Sequence, residues 1–283
     1  MSLLDKLHWL YRQTSPTLGL SKYRIFNILR NILLRSPIQI GENYMYLNPN
    51  DHVVSPHLFN HRSWETNETS LAIKIIQHGD VVYDCGANIG YFTLLYSKLV
   101  GPTGKVFAFE PDPVNFRFLE RNLLLNSCKN VTLIQKAVSY ESGSIDLYID
   151  EYNRGDHRTY DAGSGLKCIK VLSTSLNDHL TEYNNPPTFI KMDIQGAEYH
   201  ALLGMNQILD HKSQLSLSLE YWPHAIVQQG LKPGQFLDFI KQKGFTFNEI
   251  DEGGNLIPVE VPILLKKYDL NYGSCTTLFC TRN

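Results

Sequence analysis

With 283 residues, 43% of them apolar and 19% charged, the chain has the composition of a globular protein and not of a fibre or a disordered tail, and the length for one large α/β core with an appendage. A formal net charge of −2 gives no global reason to expect nucleic acid as a partner, because phosphate binding normally shows as an excess of Lys and Arg. The five cysteines are odd in number, scattered and without a C-x-x-C pair, which argues against zinc and redox motifs and fits a reduced, cytoplasmic compartment.

Residues 2 to 35 mix apolar positions with six Lys/Arg against one acid and break at Ser15-Pro16, a pattern that predicts two amphipathic helices. They read as a helical cap packed on the core or as a basic arm for peripheral membrane contact. The charges interrupt any apolar run long enough to span a bilayer, so no transmembrane segment is expected. From Ile38 to Leu58, short strand-like pieces alternate with turn residues and predict a hairpin. Residues 1–60 are thus expected to form a helical and hairpin extension, and 61–283 the main domain. His57 and His61 have helical metal-ligand spacing, but Pro56 and Asn60 place them in a surface loop with no third ligand in view.

The chain then changes character: "SLAIKII" is helical, "DVVYDCG" a strand, "YFTLLYSKLV" a helix, "GKVFAFEP" a strand, "PVNFRFLERNLLLN" a helix and "NVTLIQKAVS" a strand. Strands alternating with helices of this length imply a mostly parallel sheet covered on both faces. "SIDLYID", "KCIKVLS", "PTFIKMDIQG" and "QLSLSLEYW" continue the strands. "FTFNEID" and "CTTLFCTR", separated by the turn-rich "DEGGN", are expected to make an antiparallel edge.

In such a sheet ligands lie at the carboxyl ends of strands where the strand order reverses. The first strand ends in Asp84-Cys85-Gly86-Ala87-Asn88-Ile89-Gly90, and the second in Glu110, an acid placed to accept hydrogen bonds from ribose hydroxyls. A dinucleotide site would want G-x-G-x-x-G and helix N–H groups free for a pyrophosphate. Here D-x-G-x-x-x-G puts the carboxylate of Asp84 where a pyrophosphate would be repelled and an amino or sulfonium cation attracted. S-adenosyl-L-methionine carries both cations and a ribose, so the residues favour it over a dinucleotide. Asn88 and Gln135 are candidate polar contacts to it, and Ala137 a contact to adenine through its backbone or surface.

The segments "VVYDCGANIGYFTLLYSKLVGPTGKVFAFEPDPVNFRFLERN", "FIKMDIQGAEYHALLGM" and "LEYWPHAI" resemble the FkbM-type methyltransferase family, over roughly residues 44 to 283. The resemblance implies the Rossmann-like class I methyltransferase fold, a seven-stranded, mostly parallel sheet with an antiparallel edge strand. It also implies O-methyl transfer onto sugars, polyketides or related hydroxyls. It further points to Trp64-Glu65, where the family tends to carry an aromatic–acid pair that would close over the methionine end of the cofactor; otherwise this stretch only begins a helix. An Asn-x-Gly stretch common in the family falls on "NRGDHRTYD", in which His157 is either a general base on a lid or part of a solvated turn.

A hydroxyl must lose its proton during the transfer, which asks for a general base or a metal. Asp193 ends the "FIKMD" strand and Glu220 the next one, so the two carboxylates are candidates to share Mg²⁺. Metal-dependent O-methyltransferases of this fold place ligands at similar strand ends, yet the acid or amide usual after the second one is replaced by Tyr221. Without a metal, Asp193 is a base or a hydrogen-bond acceptor for the substrate. Tyr221 and Trp222, with His224 beside them, read as core packing or as a platform for a sugar face. The rival readings are N-methylation, where a neutral amine needs no strong base, a scaffold that keeps the fold without catalysis, and a dehydrogenase.

Overall fold

The computed structural model describes residues 34 to 282 apart from 35, 162, 164, 212 and 213. The helices expected in residues 2 to 35 therefore lie outside the described residues, Leu34 aside. Among the described residues no helix is long and apolar enough to cross a membrane.

The central sheet uses β3 (Val81–Cys85), β4 (Lys105–Phe109), β5 (Val131–Ile134), β9 (Phe189–Met192), β10 (Ser216–Tyr221), β11 (Thr246–Ile250), β12 (Leu256–Val259) and β13 (Thr276–Thr281). Their order is β12-β11-β13-β10-β9-β3-β4-β5. β5, β4, β3, β9 and β10 run parallel, whereas β13 is inserted antiparallel between β10 and β11. This is the seven-stranded class I methyltransferase order, extended by β12 as an eighth, antiparallel edge strand. β12 and the helix after it, Val261–Lys267, occupy a stretch with no clear period in the sequence. The central strands are buried on both faces, as "VVYDC" and "FIKM" require: in β9 all four residues are buried.

Helices α1 (Val54–His61), α2 (Thr66–Ile75), α3 (Tyr91–Val100) and α4 (Pro113–Leu125) precede or follow the first strands. α4 starts cleanly, because Asp112 accepts the Asn115 N–H at 3.0 Å and Pro113 supplies the first helical φ. A separate small sheet, β6 (Ala137–Val138), β8 (Lys167–Thr174) and β7 (Gly143–Ile149), carries the strands read from "SIDLYID" and "KCIKVLS". His57 and His61 lie on α1 and not in a loop: Pro56 falls in the first turn, where its missing N–H costs no intrahelical bond. Their rings sit 4.4 Å apart.

The expected hairpin is β1 (Ile38–Ile40) with β2 (Asn43–Met45). It is clamped to α4 by two amides: Asn126 Oδ1 accepts the Tyr44 N–H at 2.9 Å and Asn122 Oδ1 the Tyr46 N–H at 2.7 Å. Asn122 is fully buried, and its Nδ2 donates to the carbonyls of Tyr46 at 3.1 Å and Ile89 at 2.8 Å. One side chain thus ties the hairpin and the glycine turn to the same helix. Replacing Asn122 by alanine removes three hydrogen bonds and leaves their backbone partners buried, so a loss of about 3 kcal/mol is expected. Urea unfolding checks it, and a loss within about 0.5 kcal/mol, the range of a neutral surface change, would contradict it.

Candidate active site

β3 and β9 are neighbours at the point where the chain order reverses, and their ends touch. Gly86 has φ +88°, and a Cβ there would lie 2.0 Å from the Asp193 carbonyl oxygen, so only glycine lets the two strand ends meet. Asn88, at φ +50°, donates its backbone N–H to Glu110 Oε2 at 2.8 Å, and the Asp112 N–H reaches Glu110 Oε1 at 2.9 Å. Burial pushes the Glu110 carboxyl up to about 8, the two N–H bonds offsetting only part of it.

Two clefts flank this turn and share Gly86, Asn88, Gly155, Asp193 and Gln195. The first, about 790 Å³ with its space open to solvent, is lined by Trp64, Glu65, Asp84, Phe92, Lys191 and Glu220. The second, about 530 Å³ on the same measure, is lined by Pro111, Ala137, Val138 and Leu147 on one hand and by Glu110, Asn115, Lys136, Arg154 and His157 on the other.

The first cleft is acidic around one cation. Lys191 points from the middle of β9, is 4% exposed, and places Nζ 2.9 Å from Asp193 Oδ2, 3.8 Å from Glu65 Oε2 and 4.7 Å from the centre of the Phe92 ring. Burial alone would make it lose its proton, but Asp193 and Glu65 outweigh burial and hold it as an ammonium. Lys191 in turn overcomes burial at Asp193 and keeps that carboxyl below its usual range. Asp84, beside Lys191 in the sheet register, accepts the Thr93 hydroxyl at 2.6 Å; burial lifts it to about 6 although Lys191 and Thr93 pull it down. Glu65 is lifted to about 8, first by burial, and Glu220 well above its ordinary value by burial and then by Asp193.

Asp193 and Glu220 are brought together, bridged by Gln195, whose Nε2 donates to Asp193 Oδ1 at 2.8 Å and to Glu220 Oε2 at 3.3 Å. This arrangement does not fit the expected Mg²⁺. An ammonium that would repel a metal cation already sits on Asp193 Oδ2, and among the described residues no group of three His, Cys, Asp or Glu is placed to hold a metal ion.

His157 makes no hydrogen bond to Asp193, although both line the second cleft. It accepts the Asp150 N–H on Nδ1 at 3.1 Å and turns Nε2 toward Asp112 Oδ2 at 3.5 Å. With Nδ1 accepting the Asp150 N–H, the ring is tied to the loop through that atom, and Nε2 is buried near Asp112 without a hydrogen-bond partner. Gln135 is exposed just past β5 and lines neither cleft, whereas Ala137 is buried and lines the second. Gly90, at φ +96°, begins α3 and leaves room for Leu119. Tyr221 stacks on Phe236 in the core, and Trp222 is buried with its Nε1 donating to the Tyr272 carbonyl at 2.8 Å, so neither offers a free face. His224 bonds the Leu270 carbonyl at 3.0 Å.

Two residues of the site escape a reading by motif. Lys191 had a signal, a lysine inside an otherwise apolar buried strand, which is rarely tolerated without a partner. Glu198, buried and accepting the Ile194 N–H at 2.8 Å, holds the loop that carries Gln195; its signal was the acid of "QGAE".

A family model described as the methyltransferase FkbM domain matches residues 84–247, more than half of the chain. Methyltransferase sdnD of Sordaria araneosa is 29% identical over 196 residues, covering 58% of this chain and 73% of that protein. Hexuronic acid methyltransferase AglP of Haloferax volcanii is 30% identical over 148 residues, covering 51% of this chain and 58% of that protein. The 31-O-demethyl-FK506 methyltransferase FkbM of Streptomyces tacrolimicus is 44% identical over 68 residues, 24% of this chain and 25% of its own length.

Proposed function

The chain belongs to the FkbM methyltransferase family, and from that premise we propose that it is an S-adenosylmethionine-dependent enzyme methylating a hydroxyl on a sugar, a glycolipid or polysaccharide, or a natural product. The observation that carries this reading is the pair of clefts joined across the Gly86–Asn88 turn: one sets Glu110 beside the apolar Pro111, Ala137, Val138 and Leu147, the other is an acidic chamber. Together they suit one elongated ligand with a nucleoside at one end and cations at the other. S-adenosylmethionine, when bound, supplies an activated methyl group.

The chain's own residues would do the rest. Glu110 keeps a free lone pair on each oxygen beyond the two N–H bonds and can accept ribose hydroxyls. Asp84 and Glu65 face a cationic amino acid end. Asp193, held ionised by Lys191 and aimed by Gln195, is the acceptor for the proton leaving the substrate hydroxyl. Alignment within the cleft supplies the remainder, because transfer between two bound groups depends on their approach.

Two relatives support the acceptor class, one being named for a hexuronic acid and one for a 31-O position. The test is a titration of the protein with S-adenosylmethionine and with NAD, followed by turnover on sugar hydroxyl and amine acceptors. Binding of the first and not the second is expected. Asp193→Asn should lose hydroxyl transfer by about 100-fold or more, the weight of a positioned base, while an amine acceptor would be spared. Absent S-adenosylmethionine binding would leave a scaffold, and equal loss on both acceptors would remove the proton from Asp193.

A further inference from the structure

The boundary between the two clefts is closed into a ring. Its floor is the Gly86–Asn88 turn, against which the Asp193 carbonyl packs so closely that only glycine fits at 86. Its roof is the loop after β7, residues 150 to 158, whose Gly155 lines both clefts. On one side Asn88 Nδ2 donates to the Arg154 carbonyl at 3.1 Å. On the other the Tyr160 ring packs on Gly196, where a Cβ would lie 3.3 Å from Tyr160 Cε1, and the chain runs back through Gln195 to Asp193.

The two ends of this roof are fastened differently. Arg158 exchanges backbone hydrogen bonds with Tyr148, at 2.8 and 3.1 Å, and its guanidinium grips Asp156 at 2.7 and 2.6 Å. Tyr272 ties that buried pair to the loop before β13, accepting from Arg158 Nη2 at 2.6 Å and donating to Asp156 Oδ2 at 2.8 Å. The Arg154 end is held by separate polar contacts: its N–H to Asp51 Oδ1 at 3.2 Å, its carbonyl to Asn88 and Asn115, and Nη1 to Asp112 Oδ2 at 3.2 Å. A buried bidentate pair is the stronger fastening, so the roof pivots at Arg158 and frees itself at Arg154.

We propose that residues 150 to 158 are a strap, hinged at Arg158 and latched at Arg154, whose opening lets a ligand that spans both clefts in and out. This rests on the reading of the two clefts as one site for S-adenosylmethionine. Such a ligand passes through the ring. Leaving end-on would drag its ammonium and carboxylate between Gly155 and Gly86, a costly passage for charged groups, whereas lifting the strap breaks a few hydrogen bonds. The same opening releases the product, a step that limits many enzymes with mobile loops.

The test uses the whole protein and S-adenosylhomocysteine, with surface plasmon resonance to follow both rates. Arg154→Met, checked for a native circular dichroism spectrum, should bind and release the compound about tenfold faster, the scale expected for losing a hydrogen bond between charged groups. A gate speeds traffic in both directions, whereas a lost contact speeds release alone. Arg154→Lys, which keeps a cation for Asp112, should return both rates to within about threefold of the parent. Hydrogen exchange in the unaltered protein is an independent readout: the amides of the strap should exchange more slowly once S-adenosylhomocysteine is bound. Faster release of Arg154→Met with unchanged association would make Arg154 a ligand contact and overturn the strap. So would rates within about twofold of the parent, or strap exchange that the ligand does not slow. No binding by the parent overturns the reading of the clefts and this inference with it.

Discussion

Replacing Lys191 by methionine should destabilise the protein by about 3–5 kcal/mol, the loss seen when one partner of a buried ion pair is removed and the other is left. The geometry makes this site a strong instance. Lys191 is the single basic side chain among the residues lining the first cleft, against Glu65, Asp84, Asp193 and Glu220. Asp193 is 2.9 Å away and Glu65 3.8 Å away. Methionine has nearly the same length and still packs on Phe92, so cavity formation contributes little and the loss reports charge. Without the ammonium, the carboxyl of Asp193, 27% exposed and facing the acids of the cleft, is pushed toward its protonated form. The double variant Lys191→Met, Asp193→Asn is therefore expected to be more stable than Lys191→Met alone, because it removes the stranded carboxylate as well. Urea unfolding of the parent, both single variants and the double variant closes the cycle. A loss below about 1 kcal/mol in Lys191→Met would mean that water reaches the cluster and screens it.

What could be read from the residues beforehand follows from how local each signal is. The turn from Asp84 to Gly90 and the acid Glu110 were legible because a strand, its terminal acid and the following glycines lie within one short window, and strand-end position follows from the parallel sheet. Asp193 and Glu220 were legible for the same reason, as the closing residues of apolar runs. Their chemistry was not: whether two carboxylates hold a metal or a proton depends on Lys191 and Gln195, whose side chains meet them only in the folded site. The surroundings of His157 could not be read from its neighbours in sequence, because Asp156 and Arg158 bond each other, at 2.7 and 2.6 Å, while Asp112, beside its ring, comes from the start of α4. The eighth strand, "LIPV", contains a proline and is exposed at three of four positions, so it carries neither alternation nor an apolar run. The histidines of α1 were placed in a loop because a proline in a first turn looks, without the structure, like a proline that breaks one.

The second large effect concerns pH. Glu110 and Glu198 are both buried and both lifted to about 8, in each case first by burial. A carboxyl raised in the folded state binds its proton more tightly folded than unfolded, so its contribution is fully present below the unfolded pKa near 4.5 and is lost as pH rises to about 8. Asp193 has the opposite sign, being lowered by Lys191 despite burial, but its contribution is lost only on acidification, below the ordinary carboxyl range. Stability should therefore fall between pH 6 and 8.5, by about 3–5 kcal/mol for the two groups together. Urea unfolding across that range measures it, and Glu110→Gln should lower the slope by the share of Glu110 alone, since Glu65 and Glu220, also raised, add to it with the same sign. Cofactor binding is linked to the same proton. Ribose hydroxyls donating to Glu110 favour its ionised form, so at pH 7 binding of S-adenosylhomocysteine should release a proton that Glu110→Gln does not release. Calorimetry in buffers of different ionisation enthalpy counts that proton. Zero release in the parent, with binding intact, would mean that the nucleoside is held without the carboxylate, and would move the ribose away from Glu110.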